Sequence, residues 1–399
     1  MSVLAARGFE AFGLASGIKE SGAPDLALVA TADRIPVSAA GVFTTNLATA
    51  APVQVSRAHL TDGHASAVIV NSGNANAATG DEGLRNALRM CELSARELGC
   101  ATTDVLVCST GLIGIPMPMA PIETSVGRLA SGLTAGTEGA TAAATAMLTT
   151  DTVKKESVAT AEMGGSLTLT VGGMAKGAAM LQPAMATMLA VLTTDVAVDP
   201  RALRVALQRA VGDSFNQLTV DGCTSTNDTV LVLASGALGN HPLGFGGRGY
   251  HALTDALTAV CGDLAEQMGR DAEGATKFAR ITVVGARTTE DARRAARGVA
   301  NSQLVQCSLN GEDPYWGRIL SELGASGAYI DPTRVDISYG GITVCRDGIA
   351  AEHDGPAVKA VMTAHDIEIL CDLHVGQSEA SMITTDLSYA YIDENAKTS

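Results

Sequence analysis

Met174-Ala-Lys176-Gly177-Ala-Ala-Met180-Leu-Gln-Pro183-Ala-Met185-Ala186-Thr187-Met188-Leu189 runs on into Val191-Leu-Thr-Thr194-Asp195. The stretch is apolar and made of small residues, with one lysine and one threonine set into it. Methionines in such a run are ordinary core filler, so the plain reading is a core helix or strand. Gly177 and Pro183 argue against a helix from Lys176 to Ala186. A lysine in so apolar a setting is rarely buried without a partner. A threonine hydroxyl is a weak nucleophile unless a base stands beside it. One solution needs no histidine: the chain cuts itself before the threonine, and the new α-amine is the base. The unperturbed pKa of that amine, about 7.7–8.0, suits proton abstraction near neutrality.

The surrounding chain of 399 residues is long enough for two or three domains, or one large body with an annex, and for a sizeable core. It is 46% hydrophobic, at the globular average, so a disordered chain is excluded. Against 27 Lys and Arg stand 42 Asp and Glu, a net charge of −15 that disfavours a nucleic-acid partner. Apolar runs fall far short of the roughly 18 residues that span a bilayer, so no membrane partner is expected. Met1 to Lys19 lacks the unbroken apolar segment of a signal peptide. The expected location is cytoplasmic. Eight cysteines are scattered singly and seven histidines show no ligand spacing, which points to buried free thiols and no metal. Gly244-Phe-Gly246-Gly-Arg-Gly249 fits the GxGxxG pattern, but Ala234 to Leu243 separates it from the preceding strand. It reads as a loop feeding a helix rather than a dinucleotide site, and no bound cofactor is expected.

Alternation and turn residues predict strands at Asp25 to Ala30, Ala67 to Asn71, Asp104 to Cys108, Leu167 to Val171 and Thr229 to Leu233. Gly83 to Gly99 is the clearest helix, with Gly99 where a C-cap belongs. Met117 to Leu148 reads as one or two helices, and Leu253 to Met268 as another. After about Arg280, strands at Ile281 to Gly285, Val335 to Tyr339, Ile342 to Cys345 and Ile367 to Leu373 are interleaved with helices at Glu290 to Ala300 and Pro356 to Ala364. That texture predicts a body over 1–280 and a smaller α/β domain over 281–399, with helices on a mostly antiparallel sheet.

The run Lys176-Gly-x-x-Met180-x-x-Pro183-x-Met185-Ala186-Thr187-Met188-Leu189 resembles the self-cleavage site of the ornithine acetyltransferase family, the bifunctional glutamate N-acetyltransferases of arginine biosynthesis. Gly41-Val-Phe-Thr44-x-Asn46, Asn71-Ser-Gly-Asn-Ala-Asn76, Ser109-Thr110-Gly111-Leu-Ile-Gly114 and Met147-Leu-Thr149-Thr150-Asp151-Thr152 continue the likeness. So do Glu273-Gly-Ala-Thr-Lys277, Asp313-Pro-Tyr-Trp316-Gly-Arg318 and Asp386-Leu-Ser-Tyr-Ala-Tyr-Ile392, so that it covers essentially the whole chain in order.

The resemblance implies an α/β/β/α sandwich like the N-terminal-nucleophile hydrolases, with a smaller C-terminal domain. It implies a cut between Ala186 and Thr187 into an α chain, 1–186, and a β chain, 187–399, associated as two of each or more. Thr187 would carry the acetyl group from N²-acetylornithine to glutamate, with no cofactor; acetyl-CoA is a second candidate donor. Thr110 and Gly111 would form the oxyanion hole in what the family uses as an oxyanion loop. Lys176 would take the α-carboxylate and Glu273 the δ-ammonium of ornithine. Thr149, on a substrate-contact strand, and Asn395 and Ser399, on a tail expected to form a strand over Asp386 to Ile392, complete the implied contacts. The sequence departs from the family at Ala179, Ala184, Gln306 and Tyr315, and its tail is one residue short. These changes bear on acceptor identity more than on mechanism. The alternatives are a paralogue using another acyl amino acid or acceptor, and an uncut, non-catalytic assembly.

Overall fold

The computed structural model describes residues 2–182 and 188–396. The chain forms two compact units, one of 1–177, 184–216 and 224–268 and the other of 178–183, 217–223 and 269–399. In chain order the first runs β1 (Phe9–Leu14), β2 (Leu26–Thr31), β3 (Val37–Phe43), α1 (Ala51–His59), β4 (His64–Ala65), β5 (Ala67–Asn74), α2 (Gly80–Leu98) and β6 (Val105–Leu112). It continues through α3 (Met119–Ser131), α4 (Thr137–Ala146), β7 (Lys155–Gly164), β8 (Leu167–Lys176), β9 (Leu189–Thr194), α5 (Pro200–Gly212), β10 (Thr229–Ala234) and α6 (Gly247–Arg270).

Two sheets result, ordered β1-β2-β5-β6 and β4-β3-β10-β9-β8-β7. Period-two alternation decides which way each residue of the first sheet faces. Leu26, Leu28, Ile69, Val105 and Val107 pack with α2 and α3 residues such as Met90, Leu93, Ile122 and Leu129. Their neighbours Val29, Val68, Val70 and Leu106 share a second core with Met174, Leu189, Val191, Leu231 and Leu233 of the other sheet. An added Cβ on Gly173 of β8 would meet Leu192, Val260 and Leu264, which places α6 close against the second sheet. The class is mixed α/β.

The second unit carries β11 (Phe278–Ala286), α7 (Thr289–Ala300), α8 (Gln303–Asn310), α9 (Trp316–Ala325), β12 (Asp336–Tyr339) and β13 (Ile342–Arg346). β14 (Ile349–Ala350), α10 (Gly355–Thr363), β15 (Asp366–Asp372), β16 (Ser378–Thr385) and α11 (Tyr389–Asn395) follow. Their sheet is ordered β14-β13-β12-β15-β11-β16 and is antiparallel except where β11 meets β15. Ile281, Val283, Ile337, Ile369 and Cys371 of the sheet bury against Ala295 and Val299 of α7, Leu323 of α9 and Met362 of α10. The expected boundary at 280 falls inside β11, and the compact unit takes in the chain from Gly269.

Two local expectations are corrected. Met147–Thr152 is irregular chain between α4 and β7, because the Asp151 carboxylate accepts the Thr149 N–H at 3.1 Å and turns the chain back on itself. The tail is helical over Tyr389–Asn395 rather than extended, because the Ser388 hydroxyl accepts the Tyr391 N–H and caps it.

Before β2, the carboxylate of Asp25 gathers four main-chain N–H groups, those of Ser16, Gly17, Ile18 and Lys19, at 2.7–3.1 Å. Burial works against its charge. The N–H groups of Lys19, Ser16 and Gly17 outweigh that and hold the carboxyl below its usual range. A depressed pKa contributes stability above the unfolded value, near 3.9, and loses it as pH falls toward the folded value. Asp25→Asn is therefore expected to lower stability by about 1–3 kcal/mol at pH 7. Denaturant melts at pH 7 and pH 3 should show the gap between the two proteins closing at the lower pH.

Candidate functional site

Within the first unit, the end of β6 supplies Ser109, Thr110, Gly111 and Leu112, paired with β5 through a register irregularity at Gly73 and Asn74. Gly111 has φ +136°, and a Cβ there would lie 2.3 Å from the Gly73 carbonyl carbon and 2.4 Å from the Asn74 nitrogen. Only glycine allows the two strands this approach. The Asn227 amide donates to Ser109 O at 2.9 Å and to Ala75 O at 2.6 Å, tying both strand ends together. Asn74 likewise donates to the carbonyls of Ile115 and Pro116. Thr110, 2% exposed, therefore sits on backbone fixed from two sides.

At the end of β8, Lys176 is 3% exposed and donates to the Thr149 hydroxyl at 2.5 Å. Its ammonium also lies 3.3 Å from Asp151 Oδ2. The other oxygen of Asp151 takes the fully buried Lys155 ammonium at 2.6 Å and the Gly177 N–H at 2.7 Å. Burial alone would raise the Asp151 carboxyl; the two lysines reverse that and hold it well below the usual carboxylate range. Asp228, also fully buried, accepts the Met188 N–H on Oδ1 at 3.0 Å, while its Oδ2 has no hydrogen-bond partner among the described residues. Burial drives its carboxyl well above the usual range, against the Met188 N–H, the Ser225 hydroxyl and the charge of Lys176.

Within the second unit, Glu273 stands on the turn before β11 and receives the Asn395 amide at 2.8 Å from α11. Asp386 fixes that turn, accepting the N–H groups of Thr276 and Lys277 at 2.7 and 2.8 Å. A Cβ on Gly274, whose φ is +62°, would meet the Tyr391 nitrogen at 2.3 Å, so the turn and α11 touch backbone to backbone. The Tyr391 hydroxyl donates to Asp221, which also accepts the Met180 N–H at 2.6 Å. Gln306 spends its amide on Val220 O, Ala300 O and the Thr384 hydroxyl inside the unit, so its departure from the family lysine is absorbed by structure.

The structure thus joins Lys176 with Thr149, sets Thr110 and Gly111 on the first unit's sheet end, and joins Glu273 with Asn395. Ala184, Ala186, Thr187 and Ser399 lie outside the described residues. Among the described residues no cluster of His, Cys, Asp and Glu could hold a metal ion. Sequence reasoning missed Asp151 as the partner of Lys176, along with Asp221, Asn227 and Asp228. Asp151 stood inside a quoted motif, but nothing local marked it as buried.

The model of the ArgJ family matches residues 10–399. An arginine biosynthesis bifunctional protein of Symbiobacterium thermophilum is 46% identical over 393 residues, covering 98% of this chain and 97% of its own. Its counterpart in Streptomyces coelicolor is 45% identical, with 99% of both chains covered. Among solved structures, ornithine acetyltransferase from Mycobacterium tuberculosis, complexed with ornithine, is 40% identical over 46% of this chain and 94% of that one, with a TM-score of 0.41.

Asp151→Asn removes a carboxylate charge that two buried lysines share, a loss of about 3–5 kcal/mol for one broken partner of a buried pair. Arg89→Ala removes an exposed pairing with Glu92 and Glu123 that solvent screens. Thermal melts of the two variants are expected to separate clearly, with Asp151→Asn far the lower.

Proposed function

The chain belongs to the ArgJ family, and we propose that Thr187 is the nucleophile with which it moves an acetyl group from N-acetylornithine to glutamate. The products are ornithine and N-acetylglutamate. In this reading the chain first cuts itself between Ala186 and Thr187, and the α-amine so freed is the general base. The Thr187 hydroxyl attacks the acetyl carbonyl while the amine takes its proton. Collapse of the tetrahedral intermediate returns that proton to the departing ornithine nitrogen and leaves an acetyl ester on Oγ. The glutamate amine then attacks the ester; its proton passes through the same α-amine back to Oγ.

Each intermediate carries an oxyanion, for which the Thr110 hydroxyl and the Gly111 N–H are the proposed donors. Such donors are effective only when held in place beforehand, and losing one typically costs about 10²–10³ in rate. The backbone contact that only glycine permits at Gly111 supplies that fixity. Lys176 is assigned to the substrate α-carboxylate with Thr149 beside it, and Glu273 to the ornithine δ-ammonium with Asn395 and Ser399. The observation that carries the reading is the buried Lys176, paired to Asp151 and bonded to Thr149. A cation placed at such cost in an apolar strand end is suited to an anionic group that arrives from solvent.

The two-sheet body is, on this reading, the α/β/β/α scaffold of the N-terminal-nucleophile hydrolases. The smaller C-terminal domain takes in the chain from Gly269, and the cleaved halves stay together as two α and two β chains or a larger assembly. A cytoplasmic location fits a path that uses free amino acids. Acetyl-CoA is the second donor to assay.

Intact mass measurement under denaturing conditions is expected to give two fragments summing to the chain plus one water, and Thr187→Ala a single 40.5 kDa species without activity. N-acetylglutamate should be the main product when glutamate is present. Free acetate as the main product under those conditions would defeat the transferase assignment.

A further inference from the structure

Lys19 lies outside every role assigned above, yet it borders both halves of the first unit's site. The Asp25 carboxylate holds the main chain from Ser16 to Lys19, which fixes where the Lys19 side chain starts. Its stem runs over Gly73, where an added Cβ would come within 3.0 Å of Lys19 Cγ. Gly73 is the β5 residue in register with Gly111 of β6. The ammonium then reaches the Leu148 carbonyl at 2.6 Å and the Pro24 carbonyl at 2.8 Å. Leu148 immediately precedes Thr149, whose hydroxyl takes the Lys176 ammonium. One peptide unit therefore has a lysine on its carbonyl and a second lysine on its next side chain.

Asp151 is divided between Lys155 and Lys176, and Asp25 is engaged by main-chain N–H groups. Burial lowers the Lys19 pKa first, and among the charges it feels Lys176 lowers it further while Asp25 and Asp151 oppose. Lys19 makes no ion pair among the described residues. An ammonium has three donors, and two of these are spent on carbonyls. Burial raises the carboxyl of nearby Asp228, whose Oδ2 has no hydrogen-bond partner among the described residues. Among the described residues, the Lys19 ammonium thus keeps one donor beyond the two carbonyls that hold it.

The two substrates differ in the number of anionic groups they bring. N-acetylornithine has one carboxylate, which Lys176 accounts for. Glutamate has two. We propose that Lys19 is the specificity-determining cation of the acceptor step, taking the side-chain carboxylate of glutamate, the group that N-acetylornithine lacks. This rests on the acetyl-transfer reading and adds to it the residue that selects a dicarboxylate acceptor.

The test is steady-state acetyl transfer with glutamate and with glutamine, its neutral near-isostere, using the self-processed enzyme. Lys19→Gln is expected to raise the KM for glutamate about tenfold or more, the scale of one lost charge-assisted hydrogen bond. The preference for glutamate over glutamine should fall by the same factor, and the ratio of the glutamate KM to the N-acetylornithine KM should rise with it. Lys19→Arg should restore most of the preference. Equal losses with glutamate and glutamine, or equal rises in the KM of donor and acceptor, would overturn the assignment, since a structural role or a carboxylate common to both substrates would then suffice. Should Lys19→Gln fail to fold, Asp25→Asn, which loosens the segment bearing Lys19, must lower the same preference or the proposal falls. Wild-type enzyme that transfers no acetyl group would remove the underlying reading as well; transfer with an unchanged preference in the variants removes only the role of Lys19.

Discussion

A single buried carboxylate, Asp151, sets the electrostatics of the first unit's site. Two lysines, one fully buried and one 3% exposed, would each bear a desolvation cost of several kcal/mol alone. Asp151 makes both tolerable by facing Lys155 with one oxygen and Lys176 with the other. It also accepts the N–H groups of Gly177 and Thr149, so the same group ends β8 and bends the irregular chain after α4. Charge and backbone shape are thereby coupled. The chain around Lys176 is folded about the carboxylate that pairs with it.

The hairpin of β7 and β8 explains how residues far apart in sequence reach one carboxylate. Lys155 opposes Ala175 in the ladder, so the start of β7 and the end of β8 come together. The triad then has little freedom, since β8 is paired on its other side to β9. The strand end at Gly111 is fixed by a different device. There a missing side chain lets two backbones approach, and the Asn227 amide binds both. Both devices fix polar groups at the ends of sheet strands, Asp151 by charge and Gly111 by close backbone approach.

Much of this framework was legible in the sequence wherever a rule acts locally. Gly83 to Gly99 was readable because its apolar spacing is helical and Gly99 has φ +73°, the left-handed cap that glycine favours. Strands with one solvent face, such as β15, showed their alternation. β9 did not, since all six of its residues are buried and a continuous apolar run carries no period. α5 was overlooked although Asp199-Pro200 is a sound helix start, with the Asp199 carboxylate accepting the N–H groups of Arg201 and Ala202. Lys176 stood out by its apolar setting, but its partner lies 25 positions earlier and is delivered by sheet register. The same holds for Asn227 and Asp228, whose neighbours come from parallel pairing of β9 with β10 and from distant strand ends.

The departures from the family can be sorted by what their side chains do. Gln306 is 3% exposed and its amide is wholly engaged inside the second unit, which makes it a structural replacement. Tyr315 is 57% exposed, so its ring fills no core position. Neither change alters a charge that the first unit presents. What that unit does present, beside Leu148 and Thr149, is a lysine whose ammonium is held among the described residues by two main-chain carbonyls. An enzyme that must accept a monocarboxylate donor and then a dicarboxylate acceptor in turn needs a cation that the first substrate can leave unused. Lys19 meets that requirement: two main-chain carbonyls steady it between turnovers, and one donor remains for the acceptor.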